Sequence, residues 1–275
     1  MRLAVLNASP SVWAQRLFMV LVALFIAAPL VVVAGISFSG SDRMSFPPAR
    51  LSLGWYRAFF TDPDWMASLR ASLTISVSAA ALSVAAALPI AYAAWRYGSK
   101  ASKALAGLGA GLFLLPGVVV AVMFSAFWAV LGHIGRIENV AISHAAVFLG
   151  VPLTLLAVGF ESIDRQLLEA ARTMGARESD GFRMVIRPTI APYVICALAY
   201  VFVLSLNEYL IAYMVAGFSV QTLPIRIFTN MRSGYDPSMC VAAVLFMTAG
   251  FCIFGLLALV GDLPRLMGRT QPLRD

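Results

Sequence analysis

Charged side chains are scarce in this chain. Asp, Glu, Lys and Arg make up 12% of its 275 residues, while 61% are apolar and the mean hydropathy is +0.87. A soluble domain carries roughly 25% charged residues, so this sequence cannot cover a water-facing surface. Cysteine is equally sparse. Cys196, Cys240 and Cys252 lie in apolar runs without C-x-x-C spacing, which supports neither a disulfide framework nor a zinc site and leaves them as small hydrophobes. The two histidines, His133 and His144, stand apart in the sequence, as loop or interface residues do, and form no ligand pattern. A G-x-x-x-x-G-K-[ST] phosphate loop is missing, so the chain has no means of cradling nucleotide phosphates. The glycines of Gly107-Leu-Gly-Ala-Gly111 sit in an apolar run with no following Lys, a pattern of close helix packing through small residues.

Long apolar runs are abundant, and runs of about 20 are the signature of membrane helices. Six are read here, near residues 17–39, 71–94, 104–131, 140–160, 193–215 and 239–260. They make the chain an all-α membrane protein with a single transmembrane domain over residues 1–275. The first run has 23 residues, longer than the roughly 7–15 of a signal peptide, and is read as an anchor. Pro116-Gly117 lies inside the third run, a breaker that membrane helices tolerate. The net charge of +7 does not point to nucleic acid, because no basic stretch is interleaved with aromatics. Six spans put both termini on one side. Placing that side in the cytoplasm assigns thirteen of the twenty basic residues to inside segments, among them Arg96, Lys100 and Lys103 in a short turn without anions, and Arg265, Arg269 and Arg274 in the tail.

The segment 161–192, between the fourth and fifth spans, is the most informative. Ile163, Leu167, Ala170, Ala171 and Met174 recur at helical spacing, and Arg165, Glu169 and Arg172 lace the polar face with charge pairs. Gly175 is placed to end this helix in a left-handed cap. A second short helix is expected to start at Ser179 or Asp180 and to stop before Pro188. Five basic and five acidic residues share the segment. A helix lying on lipid is Lys/Arg-rich on its polar face, so the mixed charge suits a protein groove better.

At these residues the chain resembles the permease subunits of binding-protein-dependent ABC importers. Their signature runs Glu-Ala-Ala, three residues, Gly, nine residues, Ile-x-Leu-Pro. Glu169-Ala170-Ala171, Gly175 and Pro188 match in register, Val185 stands for the Ile, and Arg187 replaces the Leu. The resemblance implies a cytoplasmic coupling-helix loop docked on a separate ABC ATPase dimer, with Glu169, Ala170, Ala171, Gly175 and Pro188 as coupling residues. It implies no cofactor for this chain, since ATP is bound by the partner ATPase. A second permease subunit, identical or different, a periplasmic substrate-binding protein and the lipid of a bacterial inner membrane are the other implied partners. The chain itself would be a transport subunit and not an enzyme.

One carboxylate falls well inside a span, Glu208 of the fifth. Burying an ionisable group in a membrane costs several kcal/mol, so such a residue is a functional candidate by default. Ser205 and Ala212 share its helical face, with Asn207 and Tyr209 alongside. A structural Glu bonded to a neighbouring helix is the competing reading. The stretch from Ser205 through Thr222-Leu-Pro-Ile-Arg-Ile-Phe228 to Gly234-Tyr-Asp-Pro237, and Leu53-Gly54-Trp55-Tyr56 earlier, resemble the spermidine/putrescine-type importers. That resemblance implies a substrate pathway through Ser205, Asn207, Glu208 and Tyr209. Asn207 stands where those permeases carry a second acidic residue, and related permeases carry aminophosphonates or opine-like solutes. An ion-coupled secondary carrier using Glu208 is the alternative from another class, although inverted repeats and further polar groups inside the spans are not found. A membrane scaffold whose 161–192 hairpin binds some other partner is a third.

Overall fold

Inside a bilayer every backbone N–H and C=O must find its partner within the protein, which leaves helices as the economical solution for apolar runs of this length. The structure, a computed structural model, describes residues 10–234 and 236–260, and these are helical apart from turns and connecting segments. The tail arginines and Arg2 lie outside the described residues. The chain divides into two compact units, one holding the first two helices and residues 230–245, the other residues 63–229 with the end of the last helix.

In the smaller unit, α1 (Pro10–Ser37) is followed by a loop and α2 (Gly54–Thr61). Leu17, Phe18, Phe25 and Ile26 of α1 are exposed, the surface that lipid accepts. The end of α1 is tied to α2 by Ser37 Oγ and Tyr56 Oη at 2.9 Å and by the Phe38 and Tyr56 rings at 5.1 Å.

The larger unit is organised on α3 (Pro63–Tyr97), which packs against α6 (Ile137–Val147), α7 (Gly150–Glu161) and α10 (Arg187–Asn207). Its buried face is mostly small, with Ser68, Ser72, Ser76, Ala79, Ala80, Ser83, Ala87 and Ala91 beside the larger Trp65, Ile75 and Val84. Small residues at helical spacing let neighbouring backbones come close, where dispersion contacts replace the missing hydrophobic drive. The other elements are α4 (Lys100–Leu114), α5 (Gly117–Val130), α8 (Arg165–Thr173), α9 (Glu178–Gly181), a π-turn at Phe182–Ile186, α11 (Leu210–Ala216), α12 (Leu223–Ser233) and α13 (Ser238–Val260).

Among the described residues four helices are long and apolar enough to cross a membrane, and six spans result when each bent pair is taken as one. The expected third span is such a pair. α4 and α5 meet at 112°, because Pro116 pushes Leu115 out of the helical region to ψ 148°. The fourth span bends by 46° between α6 and α7. The second begins at Pro63, earlier than residue 71, and reaches well past the roughly 20 residues that a bilayer needs. The fifth is broken after Asn207 and resumes as α11. Residues 216–238, between the fifth and sixth apolar runs, contain the helix α12.

Of the clustered glycines, Gly109 does pack closely, against Leu149 and Leu153, while Gly107 and Gly111 have open space. Facing it, a Cβ on Gly150 would lie 2.9 Å from the Ala110 backbone. Gly150→Val is therefore expected to force α4 and α7 apart at a cost of about 1–3 kcal/mol, read as a lowered melting temperature in detergent. Gly111→Ala should leave it unchanged.

Candidate functional site

The 161–192 segment folds as a helical hairpin. Asp164 starts α8 by accepting the Gln166 N–H at 2.8 Å. Gly175, at φ +88°, ends it. Its N–H donates to Arg172 O at 3.0 Å and the Ala176 N–H to Ala171 O at 3.0 Å, the paired bonds of a Schellman cap. The turn into α9 is closed by the Arg177 N–H on Asp180 Oδ2 at 2.9 Å. The second helix thus starts at Glu178, close to the expected Ser179 or Asp180, but it does not stop before Pro188. α9, the π-turn and α10 form one continuous helix from Glu178 to Asn207. Pro188 has no N–H to donate and its ring crowds the carbonyl four residues back. A π-turn just upstream widens the helix and accommodates it.

The predicted apolar stripe splits into two sides. Ile163 is buried and Leu168 packs into a cluster with Leu156, Phe160, Ile186 and Ile190. Leu167, Ala170 and Met174 are exposed, as is Glu169. Behind α8 lies a solvent-open cleft bordered by Tyr92, Trp95, Arg165, Glu169, Arg177 and Phe182. Its floor is aromatic, with Trp95 stacked on Phe160 at 5.5 Å and Tyr92 between them and Phe182.

A second site forms at the break of the fifth span. Glu208 Oε1 accepts the Ile211 N–H at 2.8 Å and Oε2 the Ala212 N–H at 3.1 Å. The carboxylate thereby caps the first turn of α11, whose N–H groups have no partner within the helix, and meets the positive end of its dipole. His144 Nε2 lies 3.0 Å from Glu208 Oε2, and His144 Nδ1 lies 2.8 Å from Ser205 Oγ. The imidazole is 1% exposed and the Glu208 side chain 14%. Asn207 is exposed and donates to Val203 O at 2.8 Å. The Tyr209 ring stacks on Tyr213 at 5.4 Å and meets Phe228 at 4.8 Å.

Four of the sequence candidates, Ser205, Asn207, Glu208 and Tyr209, are thus neighbours, and Glu208 is indeed bonded to another helix. His144 was missed. It lies 64 residues from Glu208, and only its place in an apolar run could have marked it. The coupling candidates Glu169, Ala170, Ala171 and Gly175 all lie on α8 and its cap, whereas Pro188 belongs to the span below.

A multi-pass helical chain with a capped hairpin between its fourth and fifth spans is built as a membrane transport component. The family described as binding-protein-dependent transport system inner membrane component matches residues 80–263, and the chain belongs to it. It is a permease subunit of an ABC importer, a transport component whose ATPase is a separate subunit, so the ion-coupled carrier reading falls. The spermidine/putrescine transport system permease protein PotC of Haemophilus influenzae is 26% identical over 246 residues, 90% of this chain and 95% of that protein. The putrescine transport system permease protein PotI of Escherichia coli is 26% identical, covering 85% and 87%. Among solved structures, a bacterial ABC transporter importing the polysaccharide alginate gives a TM-score of 0.64 at 14% identity, covering 91% of this chain and 96% of that one.

Removing either partner of a buried hydrogen bond strands the other at about 1–3 kcal/mol. His144→Ala and Glu208→Gln are each expected to lower thermal stability by that order. The double variant should lose less than the sum, as a double-mutant cycle on purified protein would read.

Proposed function

We propose that α8 and its Gly175 cap dock in a groove of a cytoplasmic ABC ATPase, with both chain termini on that same side. The observation that carries this reading is the exposed edge of Leu167, Ala170 and Met174, on a helix whose opposite side is anchored in the protein, with Glu169 exposed at the border of the cleft. An amphipathic helix with one side fixed and the other free is what helix-in-groove recognition requires. The full assembly comprises this chain, a second permease, two ATPase copies and a periplasmic binding protein. Arg187, where the family carries Leu, is the first residue of α10.

Gly175→Val places a branched side chain at φ +88°, where left-handed backbone costs an L residue roughly 1–2 kcal/mol. In that variant and in Glu169→Lys, the ATPase subunit is expected to be lost on copurification. Full retention in both would sink the docking reading.

The cargo we infer is a polyamine such as putrescine or spermidine. Two relatives bear that description, and the chemistry near Glu208 suits a slender cation. Tyr209, Tyr213 and Phe228 form an aromatic group on the residues that follow Asn207 and Glu208 in the chain, and aromatic faces attract ammonium groups. Ser205 acts through His144, orienting the imidazole on Glu208. A ligand panel on the cognate binding protein tests the class, with diamines expected to bind. Binding of an anionic aminophosphonate or an opine in their place would replace it.

A further inference from the structure

We propose that α3 is the element that carries motion between the ATPase-docking hairpin and α12 at the other end of the span, and that it is clamped for this at both ends by an Arg–Trp stack and an ion pair. At the hairpin end, the Arg165 guanidinium lies 5.4 Å over the Trp95 ring and donates to Trp95 O at 3.0 Å. That carbonyl belongs to the last turn of α3, where C=O groups lack helical partners and a cation meets the negative dipole end. Glu178 Oε1 accepts from Arg96 Nη2 of α3 at 3.3 Å and also from Arg172 of α8. One carboxylate thus holds α8, α9 and α3 together.

The other end repeats the arrangement. Arg226 of α12 lies 5.1 Å over the Trp65 ring and donates to Asp64 Oδ2 at 3.1 Å. The Leu223 N–H, at the start of α12, donates to Ser72 Oγ of α3 at 2.8 Å. Between Ser72 and Trp95 the helix is unbroken, a reach of roughly 35 Å at 1.5 Å per residue. An exposed ion pair alone is worth ~0–1 kcal/mol. Here each pair is joined by a ring stack and a backbone hydrogen bond on the same helix, which fixes position more than it adds stability. The hairpin is covalently continuous with α7 and α10, so without these clamps α3 would receive its displacement only second-hand.

The inference rests on the docking reading, and the assembled importer in liposomes separates the two. Arg165→Ala with Glu178→Gln opens the inner clamp, and Arg226→Ala with Asp64→Asn opens the outer one. Opening the inner clamp is expected to leave ATPase copurification and basal hydrolysis intact. The stimulation of hydrolysis by loaded binding protein should fall by about five-fold or more, the lower range of measured couplings between sites. The outer clamp should give the same loss, and the combined variant no greater one, because both interrupt one route. Unchanged stimulation in either single-clamp variant, or losses that multiply in the combination, overturns the proposal. So does release of the ATPase from the inner-clamp variant, which would make those residues docking contacts. Retained association in Glu169→Lys and Gly175→Val overturns the docking reading separately.

Discussion

A helix that stops inside hydrocarbon exposes N–H and C=O groups that no water can reach, and the break in the fifth span of this protein is shaped by that cost. The fifth span breaks after Asn207, and the first N–H groups of α11 would be orphaned there. Glu208 receives two of them, and His144 then shares the carboxylate and passes a second bond to Ser205. A charge that would be costly in lipid is thus matched by dipoles and by an imidazole from another helix. The same logic explains why Pro188 follows a π-turn and why the steep α4–α5 junction falls at Pro116.

The hairpin obeys a different constraint, since it joins two spans and packs on them by one side only. One side of α8 must hold to the membrane part and the other must stay free. Leu168 and the aromatic floor of Trp95, Tyr92 and Phe160 supply the hold. Leu167, Ala170 and Met174 remain outside. The Schellman cap at Gly175 turns the chain sharply and Asp180 closes the turn that follows, so the hairpin is compact and its exposed edge is defined.

From these two constraints follows an economy of parts for the permease subunit. α3 offers small residues along its length, so α6, α7 and α10 can approach it closely, and its ends carry Trp, Arg and Asp where the environment turns polar. The aromatic group around Tyr209 stands next to the break that Glu208 holds.

Composition and periodicity alone determined that this chain crosses a membrane, that its apolar runs are helices, and that a capped amphipathic helix with Gly175 lies before the fifth span. These are local properties, set by apolar length, by 3.6-residue spacing and by the one residue that adopts positive φ without strain. The earlier start of α3, the helix α12 and the continuity from Glu178 to Asn207 were hidden, because polar residues continue a helix whenever neighbours satisfy it. The pairing of His144 with Glu208 and the two clamps on α3 were decided by the tertiary structure. Each joins residues more than sixty positions apart, and no spacing in the sequence records which helix faces which.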